Sequence, residues 1–435
     1  MSAVDRPAVV GSRVPVLRLA LGAAAAALVL MYFGPLFFAL FRPSDPYRDF
    51  SQEWLSARNF WTGTPVYAPQ HAAMLRHAGF DSPFFEVEMK WNAHPPVAVL
   101  VALPFGLITD YATAHLAWNC VTFSLFVLGL VLLARELGVG VRGGAAFGAL
   151  ALVVSWNAVH QHLYQGQLGF LIAFLLAVGW VADHRGRQTA AGVAVGTAAA
   201  LKVFPGLLLV YFVAAGRWRA AAAALLTGLL LYAAALALFG PAAFETYVRD
   251  VLPSLDRFQS SWSNVSLTGY WKRVGAALDV PAVGTIVAAV CRLLVVAAVW
   301  WVGRRASGAD GHGRAFAFAV VGMLAASPIA WTHYFVLLAV PLLVLWQRLP
   351  LGPARVALVV AGAVLWVPER LIPGFYLGIG TVWGMSSLDP MPGGVEMAVV
   401  GLGPFTYALT ALFLLVGFAR PAPVPAPTPI TPRFP

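Results

Sequence analysis

Between Val16 and Phe418 the chain is a succession of long apolar runs broken by short polar connectors. Most of its basic residues stand alone at the ends of those runs, as Arg135, Arg142, Arg187 and Arg420 do. With 435 residues that are 60% apolar and only 11% charged, the chain has too little polar surface to cover such runs in a water-soluble fold. The pattern is that of an all-α polytopic membrane protein, because a helix satisfies its own backbone polar groups in lipid. The formal net charge of +10 would suit a nucleic acid if it formed one face. Scattered at run ends it reads instead as a topology signal, so the bilayer is the expected partner and nucleic acid is not. Cys120 and Cys291 both fall inside apolar runs and read as packing residues rather than a disulfide.

The first run, Val16 to Leu40, follows Arg6 and Arg13 and is too long for a signal peptide, so it reads as an uncleaved span with a cytoplasmic N-terminus. Residues 42–93 then form a large first extracytoplasmic loop. Further runs lie near 95–109, 112–134, 144–160, 168–182, 188–215, 219–239, 281–303, 314–329, 332–347, 353–367 and 396–418. They predict about 11–13 transmembrane or re-entrant helices in one integral domain over 1–435, with 421–435 a Pro-rich disordered cytoplasmic tail. Arg-bearing connectors at 135–142, 183–187, 216–219, 304–314, 348–355 and Arg420 are assigned to the cytoplasm, and crossings between two of them must be even in number. That holds for the later pairs if 188–215 is a hairpin broken at Lys202-Val203-Phe204-Pro205. It fails for 95–109 plus 112–134. Either His94-Pro95-Pro96 opens a short re-entrant element, which is the favoured reading, or 135–142 lies outside. The other connectors, 42–92, 157–167, Lys202, 241–280, 327–333 and 368–395, then gather on the opposite face and carry the unusual polar residues.

In the first loop, Asp49 and Glu53 are four residues apart and share one helix face, while Phe50, Trp54, Leu55 and Trp61 make that helix amphipathic and suited to the membrane surface. A carboxylate there can take a proton from a hydroxyl; equally, an acid early in a helix complements the helix dipole. Lys202 is isolated in an uncharged run and implies an anionic partner, unless it snorkels to the headgroups. His333, in the turn Ser327-Pro-Ile-Ala-Trp331-Thr-His333, suits phosphate contact or proton relay, or is a hydrogen-bonded structural histidine. Asn264-Val-Ser266 with Lys272-Arg273 brings amide, hydroxyl and guanidinium groups to one face, for sugar and phosphate oxygens or as a headgroup anchor. Gly166-Gln167 is a polar cap between two runs or simply a helix terminus. His160 and His162 have no acid or Cys at ligand spacing, and no glycine loop of the Walker type is present, so no metal, cofactor or nucleotide is expected.

Together these segments resemble the polyprenyl-phosphate-mannose-dependent mannosyltransferases of glycosyltransferase family 87, within the membrane-embedded GT-C superfamily. The matching pieces run in order: Asp49-Phe with Trp54 and Gly63-Thr-Pro-Val-Tyr67, His94-Pro-Pro before Leu103-Pro-Phe, and Gly166-Gln167. Ala198-Ala-Ala-Leu-Lys202-Val-Phe-Pro205, Asn264-Val-Ser266-Leu with Arg273, and Ser327-Pro-Ile-Ala-Trp331-Thr-His333 follow. The resemblance implies a GT-C fold in the cytoplasmic membrane. It implies inverting transfer of a sugar, mannose first among candidates, from a polyprenyl-phosphate donor to a hydroxyl of a glycolipid or glycan acceptor on the extracytoplasmic face. Asp49 matches the loop-one aspartate regarded as catalytic. Lys202, Arg273 and His333 are then placed to stabilise the lipid phosphate as it gains charge, His333 also as a catalytic group, and Glu53, Gln167, Asn264 and Trp331 to bind sugar or acceptor. The rival reading is a transporter or flippase of a lipid-linked or anionic solute, with Lys202 and the broken helix as its binding site.

Overall fold

The computed structural model describes residues 13–41, 49–81, 90–140, 144–378, 389 and 393–419, and among them there is no β-strand. The tail 421–435, the start of the first loop and most of 379–392 lie outside the described residues. Among the described residues four helices are long and apolar enough to cross a membrane: α1 (Arg13–Ala39), α5 (Tyr111–Glu136), α11 (Trp218–Phe239) and α13 (Pro281–Arg304). Gly394–Gly401 and Gly403–Phe418 form a bent apolar pair, a fifth span if the two act as one. The surfaces of α1, α11 and α13 expose Leu28, Leu229 and Leu293, as helices facing lipid do.

Numbered along the chain, the other helices are α2 (Phe50–Trp61), α3 (Gln70–Ala78), α4 (Pro96–Ala102), α6 (Gly144–Ser155), α7 (Asn157–Gln165), α8 (Gly169–His184), α9 (Gln188–Leu201) and α10 (Leu207–Ala214). After α11 come α12 (Leu267–Ala277), then α14 (Gly308–Ala325), α15 (Ala339–Arg348), α16 (Pro353–Trp366), α17 (Leu371–Leu377) and α18 (Gly403–Phe418). From Ala315 to Ala325 every residue of α14 is buried, so this helix is the core around which α8, α10, α13, α15 and α18 pack. Small residues set the tightest crossings: a Cβ on Gly192 of α9 would meet Ala223 at 2.8 Å, and one on Gly275 of α12 would meet the Gly284 backbone of α13 at 2.7 Å.

The 188–215 run is broken as the Lys-Val-Phe-Pro segment predicts. Helix α9 stops at Leu201, Lys202 is extended, and Phe204–Gly206 forms one tight turn before α10. The chain comes back beside its departure point, because Arg217 Nε lies 3.3 Å from Asp183. The 95–109 run forms no helix long enough to cross a membrane. Helix α4 is seven residues, roughly 10 Å, and the carbonyls of Leu103, Gly106 and Ile108 all accept hydrogen bonds from α2 side chains, so the segment returns to the layer it left.

Five of the Arg-bearing connectors meet at one end of the assembly. Glu136 pairs with His184 at 2.8 Å and with Arg185 at 2.5 Å, Asp310 lies 3.6 Å from His184 and also pairs with Arg348, and Arg217 reaches Asp183. Gln167, Lys202 and His333 stand at the other ends of α8, α9 and α14, roughly 20–25 Å away by helix rise.

Candidate active site

Helix α2 is preceded by Asp49 at its N-cap and is buried around nearly its whole circumference, so protein covers both of its faces. Its apolar face packs as expected: Phe50 stacks on Trp118 with ring centroids 5.1 Å apart, and Trp54 Nε1 donates to the Ile108 carbonyl at 2.9 Å. Its polar face is covered by residues 92–94 rather than by water. Asn92 donates to the Gln52 carbonyl and to Ser56 Oγ, each at 3.1 Å, and the Ala93 N–H donates to Gln52 Oε1 at 2.9 Å. His94 Nδ1 closes on the carboxylate of Glu53. The exposed Trp61 marks the far end of the helix.

Asp49 and Glu53 do share a face, as their spacing requires, and they have different partners. Asp49 accepts a hydrogen bond from Gln167 Nε2, with Gln52 Nε2 at 3.5 Å. Asp49 keeps part of its surface exposed, yet burial pushes its carboxyl above the ordinary carboxylate range; Gln167, His94 and Lys202 pull it back down, and Glu53 pushes it up.

Gln167 is held by its local backbone. Helix α7 ends at Gly166 with φ +64°, a left-handed cap, and a Cβ there would meet His115 Nε2 at 2.7 Å. His162 Nε2 sits 2.8 Å from the Gln167 carbonyl and 3.0 Å from the Phe170 amide. The Gln167 side chain therefore bridges two charges, because Lys202 Nζ donates to its Oε1 at 2.6 Å. Lys202 does not snorkel: it is 5% exposed, donates to Tyr334 Oη at 3.0 Å and lies 4.4 Å from the centre of the Tyr334 ring. His333 is buried beside it, edge-on to Tyr334 and 6.2 Å from the His162 ring, with Nε2 unpartnered among the described residues.

Arg273 and Asn264 form a second group. Arg273 Nη1 donates to the carbonyls of Ser261 at 2.9 Å and Asn264 at 2.6 Å, while its Nε and Nη2 are buried without a partner among the described residues. No hydrogen bond or ion pair joins Arg273 to Asp49 or Lys202. The link is through the turn that carries His333. Asn264 donates to the Pro328 carbonyl at 2.9 Å and accepts from the Ala330 N–H at 2.9 Å, which fixes Trp331 edge-on to Phe258. Sequence reading missed Tyr334, Glu369 and the pairing of His94. Thr332, next to His333, donates to Glu369 at 2.5 Å, and burial raises the Glu369 carboxyl above its usual range. A polar residue inside an apolar run was the available signal for Tyr334; His94, just ahead of the 95–109 run, and Glu369, beside Pro368 at a run end, carried none. His160 and His162 point apart, His160 to the Val154 carbonyl at 2.5 Å, as a two-residue helical offset dictates.

The arrangement offers a carboxylate and an ammonium on the two ends of one amide, with an imidazole alongside and a buried guanidinium in the adjoining loop. The sequence model of glycosyltransferase family 87 matches residues 92–330, more than half of the chain, taking in Gln167, Lys202, Asn264 and Arg273. A polyprenol-phosphate-mannose-dependent alpha-(1-2)-phosphatidylinositol pentamannoside mannosyltransferase of Mycobacterium tuberculosis is 29% identical over 274 residues, 60% of this chain and 59% of its own. The match thus spans about three fifths of that relative's length. Polyprenol-phosphate-mannose-dependent alpha-(1-2)-phosphatidylinositol mannoside mannosyltransferases are also similar. The one from Mycobacterium tuberculosis is 27% identical over 75% of this chain and 78% of its own. That of Mycolicibacterium smegmatis is 24% identical over 78% of each. No solved structure matches the chain. On a match that covers most of the helices around the site, this chain belongs to glycosyltransferase family 87.

Proposed function

We propose that the protein transfers a hexose, mannose by likeness to its relatives, from a polyprenyl-phosphate donor to a hydroxyl of a glycolipid or glycan acceptor. The reaction runs with inversion on the extracytoplasmic face of the cytoplasmic membrane. The observation that carries this reading is the Asp49–Gln167–Lys202 bridge, which holds a base and a cation apart at a fixed spacing. Asp49 takes the proton of the acceptor hydroxyl as its oxygen attacks the anomeric carbon. The bond from that carbon to the phosphate oxygen breaks, and the electron pair leaves with the polyprenyl phosphate. Lys202 and His333 face the charge that develops on the leaving group in a site of low polarity. The unpartnered nitrogens of Arg273 supply further donors from the adjoining loop.

The positive-inside rule supports a cytoplasmic Arg-bearing end and an outward-facing site. Transport is less well supported: the candidate groups lie at one end, and the polar groups of the other end are engaged in the Glu136, Asp183 and Asp310 pairs. Membranes containing the protein, given radiolabelled polyprenyl-phosphate mannose or nucleotide-linked mannose with polyprenol loading blocked, separate the possibilities. Transfer from the first alone is expected. Direct transfer from the nucleotide sugar would defeat the mechanism.

A further inference from the structure

The mechanism above leaves two groups of the first loop unused, Glu53 and His94. Asp49 already has helical backbone dihedrals, so Glu53 lies one turn further along, about 6 Å away on the same face. The Glu53 carboxylate closes on His94 Nδ1, which sets the imidazole beside that same face. Gln52 ties the two positions together: its Nε2 lies 3.5 Å from Asp49 Oδ1, and its Oε1 accepts from the Ala93 N–H at 2.9 Å.

The backbone of His94 is fixed at both ends. Its N–H donates to Asn92 Oδ1 at 2.9 Å, its carbonyl accepts from Tyr67 Oη at 2.5 Å, and two prolines follow it. With the Nδ1–H given to a carboxylate, the lone pair of the ring is on Nε2. Nε2 has no hydrogen-bond partner among the described residues, and the side chain keeps 11% of its surface open. The neighbouring groups are less suited to move a proton out. His333 Nε2 is sealed from solvent, and Lys202, as an ammonium, has no lone pair. The titratable groups around the ring are Glu53, Asp49 and His333, with Lys202 beyond Gln167. A protonated His94 acts on Asp49 more strongly than Lys202 does, and it acts on His333 as well.

Each transfer leaves the proton of the acceptor hydroxyl on Asp49. Burial favours that protonated carboxyl, so the base has to be emptied before the next turnover.

We propose that His94 empties it: Nε2 takes the proton from the Asp49 carboxyl and passes it to solvent, while Glu53, a positioning residue, holds the ring in the tautomer that can accept. The O–H bond of Asp49 breaks, its electron pair stays on the carboxylate, and an N–H bond forms at Nε2. Loss of that proton to water restores the neutral imidazole. The proposal rests on Asp49 being the base of the glycosyl-transfer reading and goes beyond it by separating the transfer from the reset.

The test is rapid-quench kinetics on the full-length protein in nanodiscs, with polyprenyl-phosphate mannose as donor and a lipid extract of the native membrane as acceptor. His94→Ala should transfer its first sugar at the wild-type rate and then turn over roughly a hundredfold more slowly, the low end of a proton-transfer contribution, because water replaces the relay in part. Imidazole in the buffer should speed the later turnovers and leave the first unchanged. Glu53→Gln, which keeps the shape of the pair, should show the same split with a smaller loss. In the wild type, diethyl pyrocarbonate should acylate His94, and more slowly in Glu53→Gln. A first turnover slowed as much as the later ones puts His94 in the transfer step or in the fold and overturns the proposal. So does a slow steady state that imidazole does not speed. If His94→Ala fails to fold, Glu53→Gln and the acylation decide, and a folded wild type in which His94 resists acylation overturns the relay. If the wild type transfers no sugar from this donor, the activity falls and the relay with it. If it transfers sugar and both variants keep the normal steady rate, the relay alone falls.

Discussion

Asp49 and Lys202 come from distant parts of the chain and do not touch; the side chain of Gln167 donates to Asp49 and accepts from Lys202. A direct ion pair would neutralise both groups. An amide between them leaves the carboxylate free to take a proton and the ammonium free to meet a phosphate, while fixing their spacing.

Asp49→Asn keeps the shape and the contact to Gln167 but cannot accept a proton, so turnover should fall by roughly two to four orders of magnitude with donor binding retained. The folded-state pKa of Asp49 is raised by burial, so the protonated carboxyl is favoured in the fold and ionising it costs stability. That cost is absent below the unfolded pKa and complete above the folded one. Thermal melts near neutral pH should therefore show Asp49→Asn no less stable than the wild type. A less stable Asn variant with normal turnover would mean that Asp49 is structural.

The pH profile reports the same bridge. Lys202 lowers the pKa of Asp49, so Lys202→Met should let it rise further and move the acid limb of kcat/KM to higher pH. Gln167→Leu removes a hydrogen bond to the carboxylate and should shift the limb in the same direction. A limb that stays in place in both variants would show that another group sets it.

Glu53 is no longer a free neighbour of Asp49. It is 3% exposed and bound to His94, so Glu53→Leu should destabilise the first loop by on the order of 1–3 kcal/mol, because it leaves a buried histidine nitrogen without its partner. Glu53→Gln should cost less and leave measurable transfer. If Glu53→Gln abolishes transfer while Asp49→Asn retains most of it, the base is Glu53.

At the other end, Asp183 is wholly buried and Arg217 is its charged partner. Arg217→Leu should lower stability by on the order of 3–5 kcal/mol, because it strands a buried carboxylate. A cysteine at Asp310 should react only with reagents that enter the cytoplasm, and one at the exposed Trp61 with an impermeant outside reagent. The reverse pattern would invert the topology.

The helical class, the break at Lys202 and the meeting of five Arg-bearing connectors at one end were legible in the sequence. Each follows from local properties: run length, a proline after an isolated charge, and arginines gathered at run ends. The residues Asp49, Gln167, Lys202 and His333 were legible one at a time, as polar groups out of place in apolar surroundings. Their partners were not. Only tertiary structure decided that Gln167 stands between Asp49 and Lys202, that Tyr334 carries Lys202, that Glu53 belongs to His94 and that α2 is buried on both faces. It also set Arg273 in a neighbouring group rather than at the bridge. The reason is physical: membrane partition acts on each segment by itself. Which segment packs on which depends on helix crossings fixed by small residues such as Gly192, Gly275 and Gly166, and no single segment encodes those.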